Sequence, residues 1–252
     1  MLRSVKKQYG QHFLRDPNIL EVIGRLAELG PDDVVLEIGP GEGVLTRYLA
    51  ERVRRVHAIE IDRTLEPGLR GLADNIEVVY GDALQVALPQ NATKLVANLP
   101  YNVATPLVVE SLDELPNVRL WCVMVQREVA DRFFAQPGTK EYGAVSVLVQ
   151  LAAERTGFHP VSRRVFRPQP NVDSALVAFR RLELPASYGR VKEVVTAAFA
   201  HRRKTLPNSL ALTGLASREA AAGALEAIGR PPETRAEAIA PGDFLVLTKA
   251  LQ

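Results

Sequence analysis

The patterned part of the chain opens on a short apolar, β-branched run, Val34-Val35-Leu36-Glu37-Ile38, which ends in glycines. A run with hardly any polar face predicts a strand buried on both sides, as in a parallel sheet. Four further runs have the same character, at 55–60, 76–80, 94–98 and 120–125. The stretches between them, such as 44–52 and 105–115, predict helices. Strands alternating with helices predict an α/β fold whose mostly parallel sheet binds ligands at the carboxyl ends of its strands. Further along, Ala144-Val145-Ser146-Val147-Leu148-Val149-Gln150-Leu151 and Ala175-Leu176-Val177-Ala178-Phe179-Arg180 predict two more strands, joined by a turn-rich basic segment. From Val191 the chain reads helical, with Ser217 as an N-cap, Gly229 as a stop and Pro231-Pro232 as a break. The simplest division is a catalytic domain over 1–182 and a small α-helical domain over 183–252, with the boundary near Leu184-Pro185. Neither an internal repeat nor a low-complexity tract interrupts this reading.

Composition narrows the class. With 47% apolar and 24% charged residues the chain reads as an ordinary globular protein rather than a disordered one. It has no run approaching the roughly 20 apolar residues of a membrane helix. The basic start, Met1 to Tyr9, lacks the apolar core of a secretory signal, so a cytoplasmic location without membrane attachment is expected. One cysteine, Cys122, excludes an intramolecular disulfide and a Cys-based metal cluster. Its apolar surroundings read as core, and no metal is expected. Net charge is only +2, yet between Arg155 and Lys204 eleven Lys/Arg face three acids. Such asymmetry points to a surface for a polyanion, although solvated charged faces have the same look.

The first strand runs into Glu37-Ile38-Gly39-Pro40-Gly41-Glu42-Gly43, which opens a helix. Glycines let the backbone approach a ligand, and the helix start offers unpaired N–H groups. A dinucleotide fingerprint needs Gly or Ala at position 44, which is Val44. Glycines at 39, 41 and 43 behind an acid resemble motif I of class I methyltransferases, which hold S-adenosylmethionine in a Rossmann-like fold with helices on both faces. Glu60, at the end of the second strand, can accept both ribose hydroxyls, and Asp82, after the third, can accept from an adenine amino group. Either acid alone reads equally as a solvated loop residue. Their sequence after successive strands, with Gly39 and Gly41, is what points to the cofactor.

After the fourth strand comes Asn98-Leu99-Pro100-Tyr101. Asn-x-Pro also makes a turn, and Tyr101 would serve as well to cap a core. The chemistry favours a functional reading. An exocyclic adenine nitrogen is a poor nucleophile while its lone pair is delocalised into the ring, so its hydrogens must be drawn out of plane. The Asn98 side-chain oxygen and the Leu99 carbonyl, held by rigid Pro100, can accept those hydrogens while Tyr101 stacks on the base. A base inside a helix is out of reach, so it must be flipped or unpaired. Phe166, between prolines and beside Arg163 and Arg164, reads either as core or as a second aromatic wall.

These residues together resemble the ribosomal RNA adenine N6-dimethyltransferase family, and its small-subunit branch in particular. The similarity covers Lys7 to Leu14, the glycine loop, Asn98 to Tyr101, Gln126 to Arg132, Phe166 to Ser174, Phe199 to Leu206 and Arg235-Ala236-Glu237. It implies that the segment holding His12 and Leu14 closes over the cofactor. Many members carry Asn at the position of His12, and both side chains donate a hydrogen bond. It further implies that Phe166 stacks on the target base opposite Tyr101. Arg202, Arg203 and Lys204, which alone read as a charged helix face, become RNA backbone contacts, joined by Arg163 and Arg164. The implied activity is dimethylation of two adjacent adenosines in the 3′-terminal hairpin of 16S rRNA, by a monomer acting on immature small subunits. Competing readings are methylation of 23S rRNA as in the macrolide-resistance methyltransferases, an assembly factor acting mainly by binding, and methylation of adenine in DNA.

Overall fold

The structure is a computed structural model and describes residues 12–251. In chain order its elements are β1 (Phe13–Leu14), α1 (Pro17–Leu26), β2 (Val34–Ile38), α2 (Val44–Ala50), β3 (Arg55–Glu60), α3 (Glu66–Leu69), β4 (Ile76–Tyr80), β5 (Lys94–Asn98), α4 (Ala104–Glu114) and β6 (Leu120–Gln126). There follow α5 (Arg127–Phe133), α6 (Ala144–Ala152), β7 (Ala153–Val161), β8 (Phe166–Arg167), β9 (Ser174–Arg181), α7 (Tyr188–Ala200), α8 (Leu206–Leu212), α9 (Arg218–Glu226) and α10 (Pro241–Ala250). All five runs read as buried strands form strands, and 175–180 falls within β9.

Seven strands form one sheet in the order β4-β3-β2-β5-β6-β9-β7. The first five are mutually parallel, and β9 runs antiparallel to β6. The chain winds outward from β2 through β3 to β4 and then returns to β5 on the other side of β2. That reversal opens a crevice at the carboxyl ends of β2 and β5. Because successive strand residues face opposite ways, β6 reveals what covers each face. Cys122 contacts the Ile23 carbonyl of α1, while Trp121 donates to Ser111 of α4 at 2.9 Å and stacks on Phe179. Helices therefore cover both faces. Cys122 is core, as its surroundings predicted, with burial pushing its thiol up to about 12. No helix among the described residues is long and apolar enough to cross a membrane.

Two expectations fail here. Residues 144–151 are not a strand but most of α6, with Val145, Val147, Leu148 and Val149 all buried. An apolar run without periodicity suits a buried helix as well as a buried strand, and tertiary burial decides. The division at 182/183 fails for the same segment. By internal packing, one unit is 12–130 with Arg155–Arg181, and the other is Asp131–Glu154 with 182–251. In the second unit α10 packs on α6, α7 and α9, Tyr142 donates to the Ile239 carbonyl at 2.7 Å, and Tyr188 donates to the Leu148 carbonyl at 3.1 Å. The buried face of α6 packs against α7 and α10, so this helix from earlier in the chain joins the tail helices. Ser217 caps α9 as expected, accepting from Ala220 N at 3.1 Å.

Candidate active site

A cavity of about 330 Å³ opens in the first unit at the carboxyl edge of the parallel strands. Its walls include His12 and Leu14, the Glu37–Gly41 loop, Glu60, Asp82 and Asn98 to Tyr101. Residues far apart in sequence meet there because the register aligns Ile38 with Ile59 and Asn98 with Met124, bringing the strand ends to one edge. The size suits a nucleoside-sized ligand.

Gly41 lies at φ 59°, and a Cβ there would sit 2.8 Å from the Phe13 ring, so both conformation and space demand glycine. Gly39, at φ 74°, would bring a Cβ to 3.4 Å from Pro100, so the glycine loop lies close against the Asn98–Tyr101 segment. Glu60 is buried and accepts from Gly41 N at 3.1 Å through Oε2 and from Asp62 N at 2.8 Å through Oε1. A carboxylate has about four acceptor sites, so each oxygen keeps capacity for a ribose hydroxyl. Burial raises its pKa, and the main-chain donors oppose that shift. Asp82 accepts from Leu84 N at 3.0 Å, which fixes the turn after β4 and holds the carboxylate at the cavity.

Glu37, noted in the sequence only as the acid ahead of the glycines, is the residue that sequence reasoning left without a role. It is wholly buried yet lines the cavity, and its Oε2 lacks a hydrogen-bond partner among the described residues. Burial pushes its pKa up to about 8, opposed by the neighbouring Thr46 hydroxyl and reinforced by the charge of Glu60. A buried carboxyl oxygen without a partner is costly unless a ligand completes it, and a cationic arm on a nucleoside fits. The signal was present: one ionisable residue in an otherwise apolar strand.

The tetrapeptide is held from several sides. Asn98 Nδ2 donates to the His12 carbonyl at 2.9 Å, so its Oδ1 faces away from that bond. His12 Nδ1 lies 2.8 Å from the Pro168 carbonyl and must donate to it, which sets the tautomer. The imidazole lies against Tyr101, with ring centroids 5.4 Å apart. Leu99 is buried and its N–H is anchored on the Met124 carbonyl at 3.0 Å. Burial raises the Tyr101 pKa, so the phenol stays neutral.

Phe166 departs from expectation. It is 1% exposed, packs in the core with Leu14 and Val161, and does not line the cavity. In the two-residue ribbon, Phe166 pairs with Leu14 and Arg167 with Phe13. Neighbouring residues of a strand face opposite sides, so the apolar member turns inward and Arg167 outward.

The basic stretch is also thinner as a surface than its count suggests. Arg180 pairs with Glu28 at 2.7 Å, and Arg181 donates to the Leu112, Leu115 and Val118 carbonyls. Arg163 holds the Asn171 carbonyl at 3.0 Å but is exposed, as is Arg164. In the second unit, Arg202, Arg203 and Lys204 lie in an exposed turn after α7 rather than on a helix face. Arg202 donates to the Tyr142 carbonyl at 3.0 Å and sits 3.7 Å from Glu237, which gives the Arg235-Ala236-Glu237 segment a structural function.

Comparison with known proteins agrees with this geometry. A sequence profile described as "Ribosomal RNA adenine dimethylase" matches residues 2–252. The chain is 47% identical to the Ribosomal RNA small subunit methyltransferase A of Rubrobacter xylanophilus, over 98% of this chain and 95% of that one. It is also 47% identical to the protein of the same name from Streptomyces coelicolor, over 94% of this chain and 88% of that one. Among solved structures it resembles a dimethyladenosine transferase from Plasmodium falciparum, with TM-score 0.77, 27% identity and 94% and 96% of the two chains covered. It also resembles the 23S rRNA methyltransferase ErmE, with TM-score 0.66, 33% identity and coverage of 95% and 99%.

Proposed function

Since the chain belongs to the ribosomal RNA adenine dimethylase family, whose chemistry is S-adenosylmethionine-dependent methylation of rRNA, we propose that it dimethylates N6 of two adjacent adenosines in the 3′-terminal hairpin of 16S rRNA. It acts as a cytoplasmic monomer on immature small subunits. When bound, S-adenosylmethionine supplies an electrophilic methyl group on a sulfonium. Of the residues lining the cavity, Glu60 would accept from the ribose hydroxyls, Asp82 would accept from the adenine amino group, and Glu37 would face the cationic arm. Leu14 and His12 cover the same cavity, and Gly39 and Gly41 allow the backbone its close approach.

The observation that carries the reading is the orientation of Asn98. With its nitrogen committed to the His12 carbonyl, the carboxamide presents oxygen, an acceptor, to the target amine. The Leu99 carbonyl takes the second amine hydrogen, and Tyr101 offers a face to the base. Drawn out of plane, the amine regains a nucleophilic lone pair, and rate enhancement comes from positioning and from oriented acceptors. No strong base is required, because the methylated amine is acidic and loses its proton to water. Arg163, Arg164, Arg203 and Lys204 contact RNA phosphates, with Arg202 divided between RNA and its bond to Tyr142.

The test is labelled methyl transfer from S-adenosylmethionine to undermethylated small subunits, followed by mapping of the modified nucleoside. Dimethyladenosine in the 3′-terminal hairpin is the expected product. The likeness to ErmE keeps a second reading in play, and label confined to large-subunit RNA would favour it; label in cytosine would sink both.

A further inference from the structure

Tyr101 and Ser174 are 73 residues apart in sequence, yet their hydroxyl oxygens lie 2.5 Å apart. Ser174 is 1% exposed and opens β9, where the antiparallel register sets it opposite Gln126 of β6. Its hydroxyl is therefore held by the central sheet, not by a loop. Tyr101 sits beyond the end of β5 with its ring at the cavity wall. A tyrosine side chain is oriented by two torsions, and its hydroxyl is the atom farthest from the backbone. The hydroxyl oxygen lies on the axis of the second torsion, so a hydrogen bond there fixes the first torsion, and with it where the ring sits. It bears on rotation about the axis only through the preference of a phenol's hydrogen bonds for the ring plane. The first residue of β9 thus fixes where the ring sits at the cavity wall.

We propose that Ser174 is a positioning residue for methyl transfer, holding the Tyr101 phenol so that the ring is in place before the target base arrives. The proposal rests on the reading of Tyr101 as the platform for the base. A free ring would have to be ordered at each binding event, and that cost would appear in base capture and in the rate, because preorganised groups lose less on binding. The cofactor contacts at Glu60 and Asp82 lie at the end of β3 and in the turn after β4 and do not involve this bond. Their affinity should be indifferent to it.

The experiment compares Ser174→Ala, Tyr101→Phe, the double variant and Tyr101→Ala. Steady-state methyl transfer to undermethylated small subunits is measured beside calorimetric binding of S-adenosylhomocysteine and thermal melting. Ser174→Ala should lower kcat/KM by about 3- to 10-fold, the range one ordinary hydrogen bond supports, with S-adenosylhomocysteine affinity within about 2-fold of wild type. Tyr101→Phe removes the same bond from the other side and should match it, and the double variant should be no worse than either single one. RNA carrying 2-aminopurine at the target position should show weaker stacking in all three. Wild-type kinetics for Ser174→Ala, or effects that multiply in the double variant, would overturn the proposal. Should Ser174→Ala fold poorly, Tyr101→Phe still tests the bond. If Tyr101→Ala methylates normally, the platform reading itself fails; if Tyr101→Ala is impaired and Ser174→Ala is not, only the role of Ser174 falls.

Discussion

The carboxamide nitrogen of Asn98 donates to the main-chain carbonyl of His12 at 2.9 Å across 86 residues of sequence. Without that acceptor, either end of the amide could face the cavity. With it, the nitrogen is committed and the oxygen is left as the acceptor that the proposed mechanism requires for the amine. Asn98→Ala should therefore lower kcat for methyl transfer by about 10²- to 10³-fold, the effect of losing one oriented acceptor, with binding of small subunits nearly intact. Wild-type turnover by this variant would remove the mechanism.

His12 anchors that carbonyl through its own ring, which donates to the Pro168 carbonyl at 2.8 Å and leans on Tyr101. His12→Ala should reduce kcat/KM by about 5- to 10-fold, as expected for one lost hydrogen bond. His12→Asn keeps a donor and should retain more activity. Equal loss in both variants would show that the ring, not the donor, is what matters.

Gly41 combines a positive φ with contact to Phe13. Gly41→Ala strains the backbone by roughly 1–2 kcal/mol and pushes against the Phe13 ring. S-adenosylhomocysteine affinity should fall by about tenfold or more in calorimetry, and unchanged affinity would mean that the loop does not need this conformation.

Glu37 gives a pH signature. Its folded pKa is about 8, against 4.5 for an ordinary glutamate, because of burial. Between those values the folded state holds a proton that the unfolded state has released. Stability contributed by the protonated carboxyl is complete below about pH 4.5 and falls as pH rises to about 8, by roughly a few kcal/mol. Thermal melts without ligand should show this loss between pH 5 and 8 in the wild type and much less of it in Glu37→Gln. Parallel pH profiles for the two proteins would contradict a protonated Glu37.

Arg202 and Arg203 are adjacent but should behave differently. Neutralising Arg203 should reduce the salt dependence of RNA binding by about one unit of slope and leave the melting temperature unchanged. Arg202→Gln should also lower stability by about 1 kcal/mol, since it loses the Tyr142 carbonyl and the Glu237 pairing. Identical melting behaviour in the two variants would show that the Arg202 contacts carry no stability.

Much of the cavity could be read from the chain alone because its parts are local. A buried strand, a glycine turn and an acid at a strand end are each written in five to ten neighbouring residues, and the parallel winding brings those ends to one edge. Gly39, Gly41, Glu60, Asp82 and Asn98 to Tyr101 accordingly line one cavity. The segment Ala144–Ala152 was ambiguous because an apolar run fits a buried strand and a buried helix alike, and only packing against α7 and α10 makes it a helix. Phe166 turned inward because pairing with Leu14 sets the parity of a two-residue strand, which no local signal encodes. Arg180 and Arg181 found partners brought near by folding, so counting charges overstated the basic surface. Nor can sequence orient an amide: Asn98 is aimed by His12, and Tyr101 is held by Ser174. Local chemistry names most residues of the cavity, while the long-range pairing of β1 with β8 and of β6 with β9 places His12 and Ser174, the residues that aim Asn98 and hold Tyr101.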